Sequence, residues 1–113
     1  MIQNKIILIF LVLVTTLTSC NAQIKNTKIV TTKIWGNCGM CKKTIETAGN
    51  KKRVSLIVWN KETKQAEISY DSTKTTLDIV LKRIANAGYD NENYTATNEV
   101  YNNLQGCCQY DRK

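Results

Sequence analysis

Hydrophobic and polar positions follow two rhythms along this chain, and the changes of rhythm mark its elements. Over Thr27–Trp35, Val30, Thr32 and Ile34 fall on alternate positions, as one face of a strand requires. Gly36-Asn37 breaks that alternation. From Gly39 to Ala48 the spacing lengthens to i, i+4, i+7 at Cys41, Ile45 and Ala48, the period of a short helix that Gly49-Asn50 ends. Arg53–Asn60 returns to alternation, with Val54, Leu56 and Val58 on one face and Ser55, Ile57 and Trp59 on the other. After the polar turn Lys61–Lys64, Ala66, Ile68 and Tyr70 alternate with Gln65, Glu67 and Ser69, which predicts a hairpin. A second helix follows, with Thr75 as its N-cap, Leu77, Val80, Leu81, Ile84 and Ala85 on its apolar face, and Gly88 closing it. Tyr89–Ala96 reads as a polar fourth strand at an edge.

The expected order is β-α-β-β-α-β, the split βαβ arrangement of ferredoxin-like domains. This is an α+β fold with two helices packed on one face of a four-stranded antiparallel sheet, placed over residues 27–96. Residues 97–113 form an Asn-rich polar tail without apolar periodicity, and they contain Cys107-Cys108. A chain of 113 residues has room for one such domain.

The N-terminus follows neither rhythm. A short basic start leads into Ile6–Leu17, apolar except for Thr15 and Thr16. That run is shorter than the roughly 20 residues of a membrane-spanning helix, so residues 1–19 are expected to be an export signal. Leu17-Thr18-Ser19-Cys20 resembles a bacterial lipobox, which implies lipidation of Cys20 and a tether over residues 20–26. The alternative, an ordinary secretory signal, leaves Cys20 as a spare thiol. The lipobox resemblance implies a membrane-anchored lipoprotein facing the periplasm or cell exterior.

Charge changes this picture little. Sixteen Lys and Arg against nine Asp and Glu give +7, but beyond Lys42-Lys43 and Lys51-Lys52 the basic residues are scattered and form no stripe for nucleic acid. The complete absence of His changes more, because it removes imidazole as a metal ligand, as a general base and as a partner for a nucleophile. The candidate chemistry therefore rests on Cys38 and Cys41, a C-x-x-C pair at an expected helix start. Backbone N–H groups and the helix dipole there favour thiolates, which bind soft metals and attack disulfides. Three readings follow: a metal site, a thioredoxin-like thiol–disulfide exchange site, and a structural disulfide. The chain has no Pro, whereas thioredoxin-like domains set a cis-Pro beside the reactive Cys, and a two-residue spacer closes too small a loop for much stabilisation. The expectation is a binding protein, not an enzyme.

The order of elements and several local motifs resemble the heavy-metal-associated domain family, over roughly Thr27–Ala96. The matching motifs are Cys38-Gly39-Met40-Cys41, Ile45-Glu46, Ala66, Ile68 and Tyr70-Asp71, and Ala87-Gly88-Tyr89. The resemblance implies Cu(I) held by Cys38 and Cys41, with Hg(II), Ag(I) or Zn(II) as other candidate ions. It also implies Tyr89 close to the metal loop, and a partner that is a metal transporter, an efflux component or another metal-binding domain. One departure stands out. The family carries a Met before the pair that packs under the loop, and here Trp35-Gly36-Asn37 takes that stretch. Met40, between the cysteines, is expected to fill the core in its place, the alternative being a weak thioether ligand. Lys42 and Lys43 either offset thiolate charge, guide an acidic docking surface, or are an exposed helix face. Adjacent cysteines are too close for a simple mutual disulfide, so Cys107 and Cys108 are expected to fold back and add thiolates to the site. Disulfide pairing with Cys38 and Cys41 under oxidation, a separate site and an intermolecular bridge are the alternatives.

Overall fold

A computed structural model describes residues 23–113. The expected export signal and Cys20 lie outside the described residues. Three strands, β1 (Thr27–Lys33), β2 (Ser55–Trp59) and β3 (Gln65–Asp71), form an antiparallel sheet in the order β1-β3-β2. Its register sets Val30 and Ile57 on either side of Ile68. Helix α1 (Gly39–Gly49) and helix α2 (Leu77–Asn86) pack against the sheet face that carries these residues.

Alternation decides which face is covered. Ser55, Ile57 and Trp59 are buried, while Leu56, Val58 and Ile29 are exposed on the other side. The helices contribute Cys41 and Ile45 from α1, and Val80, Leu81, Ile84 and Ala85 from α2. Gly49 permits the close approach of α1 to the sheet, since a Cβ there would stand 2.3 Å from Ile57 Cγ1. The N-cap of α2 is Thr76, whose hydroxyl accepts from Ile79 N–H, one residue after the Thr75 expected from sequence. No described helix is long and apolar enough to cross a membrane.

The expected fourth strand over Tyr89–Ala96 does not form. Asn91 makes one isolated bridge to Ile34, and Trp35 N–H donates to Asp90 O at 2.9 Å. There the pairing stops, because the buried Asn91 side chain recruits the backbone. Its Oδ1 accepts from Asn93 N–H and Tyr94 N–H, while its Nδ2 donates to Leu81 O. An Asn side chain that satisfies nearby N–H groups competes with a sheet ladder and bends the chain into a turn.

The last residues pack onto the domain. Helix α3 (Asn98–Asn102) and a 3₁₀ turn (Gly106–Cys108) lead to Tyr110, and both Cys108 and Tyr110 join the core. Gly88, at φ +113, makes room for this return, since its Cα faces Leu104.

Candidate metal centre

Helix α1 starts at Gly39, so Cys38 is its N-cap and Cys41 lies one turn further in. Their sulfurs are 3.7 Å apart, with Cys41 buried and Cys38 partly exposed. Trp59 supports the turn from beneath. Its indole N–H donates to Ile34 O at 2.9 Å, and a Cβ on Gly36 would lie 2.8 Å from its ring. The tryptophan and the glycine therefore fit one another, and together they fix where the loop can run.

The tail brings in a third thiol. The sulfurs of Cys38, Cys41 and Cys108 lie within 4.8 Å of one another, and all three are free thiols. Three sulfurs each about 2.3 Å from a common centre stand about 4 Å apart in a trigonal plane, so small side-chain adjustments let this cluster hold a soft metal ion. Cys107 stays outside, exposed, with its sulfur 3.9 Å from that of Cys108 and 3.7 Å from Met40 Sδ. Its carbonyl accepts from Asn37 Nδ2 at 3.3 Å and from the Cys38 thiol at 3.4 Å, which joins the two cysteine turns.

The thiols differ in acidity. Cys41 N–H does most to favour the Cys38 thiolate; burial opposes it, and Met40 N–H and the neighbouring thiols assist, bringing the pKa down to about 7. Burial, followed by the adjacent Cys41 thiol, pushes Cys108 up to about 12. Tyr89 is fully buried, and its hydroxyl has no nitrogen or oxygen partner. Burial first, and then Cys41 and Cys108 beside it, hold that hydroxyl protonated well above the ordinary tyrosine range.

Other expectations fare differently. Met40 does not fill the core: the residue is 48% exposed, and Trp59 occupies the space beneath the loop. Lys42 is held by Glu46 Oε2 at 2.6 Å and Trp59 O at 2.7 Å, so its ammonium is engaged with oxygen acceptors and not with a thiol. Sequence reasoning missed the groups that hold the tail. Tyr110 stacks on Tyr89 with ring centroids 5.5 Å apart, and Tyr101 meets Tyr110 edge-on at 5.1 Å. The Tyr110 hydroxyl donates to Gly88 O and accepts from Asp90 N–H, both at 2.7 Å. Arg112 pairs with the fully buried Asp90 at 2.9 Å and also donates to Ala96 O. The available signal was Tyr101, Leu104 and Tyr110, three large side chains with apolar bodies in a mostly polar stretch.

Comparison with family models, curated proteins and solved structures gives no match for the chain.

Proposed function

We propose that the protein captures and relays a soft metal ion outside the cytoplasm, Cu(I) first among the candidates, through the thiolates of Cys38, Cys41 and Cys108. The observation that carries this reading is the convergence of those three thiols from two distant parts of the chain. Thiolates select Cu(I), Ag(I) and Hg(II) by softness, whereas a structural Zn(II) site takes four protein ligands. On this reading the protein is a heavy-metal-associated domain of ferredoxin-like ancestry, its fourth strand replaced by the Asn91 turn. Lipid on Cys20 would tether it to a membrane, and the ion would pass by ligand exchange to a transporter, an efflux component or another metal-binding domain.

Thiol–disulfide exchange is the second reading, and one observation favours it. The Cys38 thiolate is accessible at neutral pH, with Cys41 3.7 Å behind it as a resolving thiol. Anaerobic titration of the reduced protein with Cu(I), against a chelator of known affinity, separates the two. The metal reading expects one ion per chain, lost in Cys38→Ser and Cys41→Ser and weakened by about tenfold or more in Cys108→Ser. Disulfide-exchange turnover with no metal retained against the chelator would overturn it.

A further inference from the structure

Two sulfur donors stand outside the three-thiol cluster and touch each other. Cys107 Sγ lies 3.7 Å from Met40 Sδ, and both side chains are exposed. Met40 is unusual among the exposed large hydrophobic residues. Ile29, Leu56 and Val58 lie on the uncovered face of the sheet and Ile79 lies on α2, but Met40 sits in the first turn of α1, beside the thiols. Exposing a thioether there forfeits its burial energy, and its sulfur meets another soft donor.

The spacing continues inward. Cys107 Sγ is 3.9 Å from Cys108 Sγ, which in turn lies within 4.8 Å of the sulfurs of Cys38 and Cys41. Ligand exchange requires the incoming and outgoing donors to reach the ion together. With metal–sulfur bonds of about 2.3 Å, two sulfurs up to about 4.6 Å apart can do so. Both outer steps fall inside that limit. The backbone holds Cys107 in place for this, because its carbonyl accepts from Asn37 Nδ2 and, while Cys38 carries its proton, from the Cys38 thiol.

We infer that Met40 and Cys107 form an outer soft-donor station, where a monovalent thiophilic ion is taken up before it moves inward and held last before it leaves. This rests on the reading that Cys38, Cys41 and Cys108 hold the ion. In the inward step the ion is bound by the Cys107 thiolate and the Met40 thioether. A bond to Cys108 sulfur forms while Cys107 keeps its own, the bond to Met40 then breaks, and the Cys108 proton passes to solvent. Cys107 then lets go and takes up a proton from solvent, while Cys38 and Cys41 give up to solvent any protons they still carry and complete the inner set. No electron is transferred, and the reverse order delivers the ion to an exposed thiol of a partner.

The experiment is anaerobic stopped-flow uptake of Cu(I) from a weak-chelator complex, with equilibrium competition run on the same samples. Wild type is compared with Met40→Leu, Cys107→Ser and the double variant, and circular dichroism checks that each is folded. Both exposed substitutions are expected to slow uptake and release by about tenfold or more, while stoichiometry and equilibrium affinity stay within about twofold of wild type. The double variant should be little slower than the worse single one, because the two donors act at one step. Unchanged rates in all three variants would overturn the station. A loss of affinity matching the loss of rate in Cys107→Ser would also overturn it, by making Cys107 a ligand of the inner set. Wild-type protein that holds no Cu(I) at equilibrium would remove the inner site, and the relay with it.

Discussion

The C-x-x-C turn and the Cys107-Cys108 turn each bury one thiol and leave the other nearer solvent, but they are held in place differently. At the first turn Cys41 and Ile45 are core residues, and Gly36 lies against the Trp59 ring. Packing fixes that geometry. At the second turn Cys108 and Tyr110 also pack into the core, but polar contacts are added to that packing: Asp90 with Arg112, the Tyr110 hydroxyl with Gly88 and Asp90, and Asn37 with the Cys107 carbonyl. Apolar contacts are numerous and non-directional, so one turn rides on the stability of the whole domain. A few buried polar contacts are directional and costly to leave half-made, so the other can be released by removing one partner.

Arg112→Ala is the largest test of that difference. It leaves Asp90 buried with Ala96 and Lys113 N–H groups but no countercharge. Breaking such a pair costs about 3 kcal/mol, read as a fall in chemical-denaturation stability. Alkylation should then reach Cys108 while Cys41 stays protected. If Cys41 and Cys108 become accessible together, the two turns are one cooperative unit and the comparison fails.

The complementary change is Gly36→Ala. The new methyl would meet a rigid indole and Ile45 Cδ1 at 3.1 Å, neither a flexible chain end free to move into solvent. Overpacking of this kind costs about 2 kcal/mol, measurable by the same denaturation. It should weaken the C-x-x-C turn and metal affinity while leaving the Asp90–Arg112 pair intact. A variant as stable as wild type would show that the Trp59–Gly36 contact does not set the loop.

The same contrast explains what was legible in the sequence. Ser55, Ile57 and Trp59, or Val80, Leu81, Ile84 and Ala85, announce themselves because burial of a regular element imposes a period. Three strands and both main helices were readable for that reason, as was the placing of Cys38 and Cys41 at a helix start. Asn91 carries no such period. Its effect on Tyr89–Ala96 depends on a buried amide reaching Leu81, ten residues back. Arg112 likewise looks like any surface cation until Asp90, twenty-two residues earlier, is placed beneath it. Met40 was misread because an apolar residue near a core is normally buried, and here Trp59, from β2, already fills the space.

Acid gives the smallest and most selective test. Burial works to raise the Asp90 pKa, but hydrogen bonds from Arg112 and from the Ala96 and Lys113 N–H groups outweigh it, so the group titrates below the ordinary aspartate value. The unfolded carboxyl therefore takes up its proton at higher pH than the folded one. The stabilisation is complete above the unfolded value, about 3.9, and is lost as pH falls through the folded value. Asp71, held low chiefly by the Thr73 hydroxyl, adds a similar dependence at the end of β3 and is common background. The probe must therefore be local. Exchange protection of the Asp90 amide, which donates to the Tyr110 hydroxyl, should fall below about pH 4 before that of the Ile68 amide in the central strand. In Asp90→Asn this early loss should disappear, because no carboxylate remains to protonate, while the background from Asp71 persists. If the early loss survives in Asp90→Asn, acid does not act on the tail through this carboxylate.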